Sequence, residues 1–185
     1  MTWNSPEVLR RTGGREIKAV VFTEEQIARR VAELGAELTR AYPEGDLLLI
    51  GLLKGSFLFL ADLVRHVERP VAVDFMVASS YGDATVSSGN VRLLYDPATD
   101  LAGKHVVLVE DIVDSGNTLR RLLALLSARR PTSLAVCALL DKAQMHSPFE
   151  ALRFVGFEAP PAFLVGYGLD YAEQYRHLPF IADLA

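Results

Sequence analysis

Val106-Val-Leu-Val-Glu-Asp-Ile-Val-Asp-Ser-Gly-Asn-Thr-Leu119 is the stretch on which the reading of this chain turns. It opens as an apolar run, His105-Val-Val-Leu-Val109, of the kind expected for a strand buried on both faces of a parallel sheet. The run ends in two adjacent carboxylates, Glu110 and Asp111. A third, Asp114, precedes Ser115-Gly116-Asn117-Thr118, where a helix begins and runs to about Ala128. Free backbone amides at a helix N-terminus, a glycine that permits close approach, and the hydroxyls of Ser115 and Thr118 together make an anion cradle. The common nucleotide-triphosphate loop needs a lysine beside the Ser/Thr, which is missing here. Three carboxylates this close to a phosphate repel it unless something intervenes. They can bind sugar hydroxyls, hold a hard cation such as Mg²⁺, or lie where positive charge develops during reaction. A bare turn capped by Asp114 would leave Glu110 and Asp111 unexplained.

Working outward, the same alternation of apolar strands and amphipathic helices recurs. Thr23-Glu-Glu-Gln26 reads as a capping box, and Ile27, Val31, Leu34 and Leu38 follow at helical spacing until Tyr42-Pro43. Leu47 to Leu53 is apolar on both faces, Lys54-Gly55 follows, and Ser56 to about Val67 is expected to be helical. Val71 to Ser80 and Val91 to Tyr95 read as strands. Between them, Tyr81 to Asn90 is small and polar, and is expected to be a mobile excursion. Ser133 to Leu140, Leu152 to Phe157 and Phe163 to Val165 are further strands, and the first dozen residues read as an irregular arm. The pattern predicts an α/β fold: a mostly parallel twisted sheet flanked by helices on both faces. Ligands of such sheets sit beyond the carboxyl ends of the strands, so the loops after Leu53, Val109, Leu140 and Val165 are where chemistry is expected.

Composition bounds the function classes. The 185 residues suit one domain, and with half of them hydrophobic and 23% charged a sizeable core is expected. A net charge of −4 without a long basic run argues against a protein that mainly holds nucleic acid. No apolar run approaches the length of a membrane span, and no signal peptide is visible. The lone cysteine, Cys137, lies in an apolar run and fits a buried residue in a reducing cytoplasm. The four histidines have no metal-ligand spacing and read as surface or supporting residues.

The 106–119 stretch resembles the signature of type I phosphoribosyltransferases, and among them the bacterial hypoxanthine-guanine enzymes. The likeness runs from about Ile17 to Leu178 through several motifs in the family's order. It implies the type I phosphoribosyltransferase fold as a single domain over 1–185. The core would span about 17–145, with a small hood made from the N-terminal arm and about 146–185. It further implies purine salvage, with phosphoribosyl pyrophosphate and a 6-oxopurine as substrates, in a cytoplasmic homodimer or homotetramer that binds neither nucleic acid nor membrane. Glu110 and Asp111 would contact the ribose hydroxyls directly or through Mg²⁺, and Ser115, Gly116, Asn117 and Thr118 would enclose the 5-phosphate. Asp114 would take a proton from the purine as general base, which suits a carboxylate within hydrogen-bond reach. Lys54 and Gly55 resemble the pyrophosphate loop, with Arg176 as a second pyrophosphate ligand. Ser80 and Tyr81 match the start of a lid that excludes water. Lys142, counted with Asp114 as catalytic, would donate to the purine 6-oxo group. Phe163 would stack on the base, Leu164 would meet it through its backbone, and Asp170 would lie near position 2 and a second Mg²⁺.

The segment Ala143-Gln-Met-His-Ser-Pro148 departs from the basic stretch expected there. Lys142 and Phe163 to Asp170 argue against adenine and pyrimidines but leave hypoxanthine, guanine and xanthine as alternatives. A nucleotide-sensing regulator of the same fold should carry a basic face or an added DNA-reading domain, and neither is visible.

Overall fold

The computed structural model describes residues 3–80 and 91–184, of which 79–80 and 91–92 are described by their backbone alone. Its centre is the run Leu47–Leu53 (β2), buried almost throughout, which pairs in parallel with Ala72–Ser80 (β3) on one side and His105–Val113 (β5) on the other. Ser133–Asp141 (β6) and Leu152–Glu158 (β7) extend the sheet in parallel beyond β5, and Val91–Tyr95 (β4) closes the opposite edge antiparallel to β3. The order is therefore β4-β3-β2-β5-β6-β7, the mostly parallel α/β sheet expected from the sequence.

Alternation along these strands feeds two cores. Leu47 and Leu49 of β2, with Val107 and Val109 of β5, pack against Glu24–Ala41 (α2) and Phe57–Val64 (α3). Leu48 and Ile50, with Val106 and Leu108, pack on the other face against Leu119, Leu122 and Leu126 of Asn117–Ser127 (α4). Each residue step sends its side chain to the opposite face, so one continuous apolar run serves both layers. Cys137 sits wholly inside the first core, and its burial pushes the thiol pKa well up.

A second, three-stranded sheet covers the carboxyl ends of the first. Ile17–Phe22 (β1) pairs antiparallel with Ile181–Leu184 (β9), which also pairs with Leu164–Val165 (β8). β1 belongs to the small sheet, and β7, beyond residue 145, belongs to the large one.

The N-terminal arm is not wholly irregular: Pro6–Arg11 forms a short helix (α1), with Ser5 as its cap and proline at its start. Asn4 fastens this arm by exchanging two hydrogen bonds with the backbone of Ile17. β5 continues to Val113, past its expected end at Val109, which puts Glu110 and Asp111 inside the strand. A 3₁₀ turn at Ala143–Met145 follows β6. Among the described residues, no helix is long and apolar enough to cross a membrane.

Candidate active site

Strand order reverses direction between β2 and β5. From β2 the chain moves through α3 to β3 on one side, and from β5 through α4 to β6 on the other. Loops that leave adjacent strands in opposite directions part and open a crevice at the carboxyl edge. A cavity of about 280 Å³ lies there, lined by Gly55 after β2 and by Glu110, Asp111, Asp114, Ser115, Gly116 and Thr118. Asn117 is the first residue of α4, beside this cavity's wall.

The cradle has an open helix end. α4 starts at Gly116 in the left-handed conformation (φ 70°), with no side-chain cap and no acidic residue in its first turn. Glycine adopts that conformation without the steric cost a side chain would add. A helix N-terminus carries unpaired amides and about half a positive charge, so an anion placed there is favoured.

The acids behind the cradle are poorly satisfied. Glu110 Oε2 is buried without a hydrogen-bond partner, although the residue as a whole is only half-buried. Asp111 accepts from the Ile112 amide at 2.9 Å. Burial, then the neighbouring Asp111 charge, pushes the Glu110 carboxyl well above its usual value. Burial also pushes Asp111 up to about 6, against the pull of its backbone hydrogen bonds and Arg176. Gly55 lies so close that a Cβ there would overlap the Asp111 carboxylate. Two adjacent acids in this state favour the arrival of hydroxyl donors or a divalent cation. Among the described residues no group of three His, Cys, Asp or Glu side chains could hold a metal unaided. The donor set therefore fits a hard cation shared with a ligand's own oxygens, as Mg²⁺ is commonly bound.

Three cations lie around the cavity, none of them part of its lining. Lys142 keeps its ammonium 3.9 Å from the Asp114 carboxylate, and its backbone amide donates to Val113. Lys54, preceded by a cis peptide bond after Leu53, reaches across to Glu173 at 3.0 Å. Arg176 donates to the Gly168 carbonyl at 2.6 Å and pairs with Asp170 at 2.9 Å, while its buried Nε has no partner. Asp170 also accepts from the Glu173 amide at 2.8 Å, so both of its oxygens are engaged.

The small sheet carries the remaining expected residues. Phe163 is 54% exposed and meets Tyr171 edge-on at 5.6 Å, while Leu164 is buried in β8. Phe163 is not part of the cavity wall between β2 and β5. Gly168 packs onto the loop after β2: a Cβ there would overlap the Gly55 carbonyl. Ser80 is the last residue of β3, whereas Tyr81 and the expected mobile segment to Asn90 lie outside the described residues.

Two residues near the site, Glu173 and Arg120, are not singled out by the sequence, and a third, His146, reads there only as a surface or supporting residue. Glu173 holds Lys54 and approaches Arg176 at 3.4 Å. Arg120 touches the cradle through the Ser115 carbonyl, and His146 binds Asp141 at 2.7 Å with a side chain only 3% exposed. Acid–cation spacing of three, from Glu173 to Arg176, was the available signal for the first. The other two depend on contacts across 27 and 5 residues with no local pattern.

Comparison with known proteins agrees with this geometry. The profile of the phosphoribosyl transferase domain matches residues 15–172. The hypoxanthine phosphoribosyltransferase of Escherichia coli K12 is 49% identical over 167 residues, covering 89% of this chain and 94% of that one. The hypoxanthine-guanine phosphoribosyltransferase of Bacillus subtilis is 47% identical over 169 residues, covering 91% and 94%. A crystal structure of a hypoxanthine-guanine phosphoribosyltransferase from Bacillus anthracis superimposes with a TM-score of 0.87 at 44% identity, covering 92% of this chain and all of that one.

Proposed function

The chain belongs to the phosphoribosyl transferase family, and from that membership we propose that it salvages purines. It transfers the 5-phosphoribosyl group of phosphoribosyl pyrophosphate to hypoxanthine or guanine, giving IMP or GMP and pyrophosphate. The observation that carries the reading is an acid-bearing strand, β5, running into the uncapped N-terminus of α4 at the sheet's switch point.

In this reading the 5-phosphate enters the cradle of Ser115, Gly116, Asn117 and Thr118, where amides and the helix dipole favour it. Glu110 and Asp111 hold the ribose hydroxyls and, with Asp170, the divalent cations that the family generally needs, which we assign as Mg²⁺. A cation held by these carboxylates would supply positive charge that favours departure of the pyrophosphate. Lys54, Gly55 and Arg176 receive that pyrophosphate. For them to do so, Lys54 exchanges Glu173 for the ligand. Asp114 accepts the proton that leaves the purine's imidazole ring as a ring nitrogen bonds to C1 of the sugar. Its negative charge also favours the cationic sugar of the transition state. Lys142, beside it, donates to the 6-oxo group, which selects oxopurines over adenine. Phe163 stacks on the base, Leu164 meets it through the backbone, and Asp170 lies near its 2-position. Ser80 and Tyr81 begin the lid. The enzyme works in the cytoplasm, as its unpaired, buried cysteine suits, and acts as a homodimer or homotetramer. Exposed Val73 and Phe75 of β3, with Leu94 and Tyr95 of β4, offer an apolar face for self-association.

The test is a spectrophotometric assay of hypoxanthine, guanine and xanthine, each with phosphoribosyl pyrophosphate and Mg²⁺. Turnover of hypoxanthine or guanine, lost on chelation, is expected. Failure with both, or clear preference for xanthine, overturns the substrate assignment.

A further inference from the structure

The segment after Lys142 carries no lysine or arginine between Ala143 and Pro148. A cation reaches it from elsewhere. Arg120, in the first turns of α4, donates through Nη2 to the Ser147 carbonyl at 2.6 Å and to the Ser147 hydroxyl at 3.1 Å. Its Nη1 donates to the Ser115 carbonyl at 3.4 Å, and its guanidinium lies 4.8 Å over the Phe149 ring. One side chain therefore touches the phosphate cradle and the stretch behind Lys142 at once.

The contacts continue until they close a ring. His146 bonds the Asp141 carboxylate at 2.7 Å through Nε2, and its Nδ1 lies 3.1 Å from the Ser147 carbonyl that Arg120 also uses. Asp141 is the last residue of β6 and is joined covalently to Lys142. Lys142 returns to the cradle through its amide bond to Val113 and its ammonium beside Asp114. The path Ser115–Arg120–Ser147–His146–Asp141–Lys142–Asp114 starts and finishes in the same turn. An isolated exposed arginine is worth little to a protein. Arg120 differs because it is half-buried, stacked on a ring, and held by three acceptors in fork geometry.

We infer that Arg120 is a positioning residue that couples the phosphate cradle to the base-recognising Lys142, so that seating of the sugar phosphate sets the purine site. The inference rests on the proposed function, and its test begins by establishing that the unaltered enzyme turns over hypoxanthine. Failure there sinks the functional reading and the coupling with it, whereas failure of the variants below sinks the coupling alone. With turnover established, Arg120→Met keeps an unbranched apolar side chain at this position and removes the guanidinium fork. It raises the KM for hypoxanthine and the KM for phosphoribosyl pyrophosphate, each by about tenfold, as expected for lost bonds to a charged donor, while kcat changes less. Arg120→Lys restores the charge beside the cradle but not the fork. The KM for phosphoribosyl pyrophosphate therefore recovers, and the KM for hypoxanthine does not. His146→Gln added to Arg120→Met costs less than the two changes made separately, because both break one ring. The inference is overturned if Arg120→Met leaves the hypoxanthine KM within about twofold of the unaltered value, or if the two variants prove additive. It is also overturned if Lys restores both constants.

Discussion

Helices α2 and α4 each present an apolar stripe to the sheet, yet their first turns are finished in opposite ways. α2 is closed by its own side chains. Thr23 accepts from the Gln26 amide, Gln26 accepts from the Thr23 amide, and Glu24 and Glu25 answer the dipole. α4 begins at a glycine that offers no cap, and its first turn contains no acid. The first arrangement spends the helix end on stability, whereas the second leaves it open, where the proposed sugar phosphate would sit. The difference is made by three or four residues, and it separates a structural helix from a functional one more sharply than their apolar faces do.

The comparison can be pressed hardest at the open end. Asp114→Asn keeps the turn and the amides of α4 but removes the proton acceptor, so kcat falls by about 10²- to 10⁴-fold. Equilibrium binding of phosphoribosyl pyrophosphate, followed by calorimetry, persists. Activity undiminished in that variant removes Asp114 from its role. Asn117→Asp then gives α4 the acidic first turn that α2 has. The folded state gains about 0.3–1 kcal/mol from the dipole. The KM for phosphoribosyl pyrophosphate rises at least about tenfold, because a carboxylate now faces the phosphate. A melt and a substrate titration on one preparation read both. At the closed end, Thr23→Ala lowers stability by about 1 kcal/mol in a denaturant titration and leaves both KM values unchanged.

The smallest expected effect concerns His146. Burial disfavours its charged form, and Arg120 works against it too, but the Asp141 carboxylate and the Ser147 carbonyl outweigh them and raise its pKa from 6.5. A raised pKa means that the protonated ring stabilises the fold. That contribution is complete below the unfolded value of about 6.5 and is lost as pH rises through the folded one. The Tm advantage over His146→Gln is accordingly larger at about pH 5.5 than at about pH 8, and an equal difference at both refutes the pairing.

The large sheet was legible because each of its buried strands is one continuous apolar run, and the capping box at Thr23–Gln26 marked α2 to the residue. The acidic loop was legible for the same reason in reverse, since carboxylates that interrupt a buried run need an explanation. The small sheet was harder. β1 pairs with β9 across about 160 positions, and a strand of four residues such as Ile181–Leu184 carries no period of its own. α1 was missed because six residues are too few to show a stripe, although Ser5-Pro6 was a start signal. The Arg120 contact joins positions 27 apart and the His146 contact follows no periodic spacing, so only their placement in space reveals them.

The close seat of Gly168 upon Gly55 has a consequence for the protein's birth. During synthesis the phosphate cradle has all its parts once α4 has left the ribosome. The wall bearing Phe163, Leu164, Asp170 and Arg176 is tied by β9 to β1, so it lacks its sheet pairing until Ile181–Leu184 has been made. The residues proposed to meet the base on this wall are therefore completed last, after those proposed to hold the sugar phosphate.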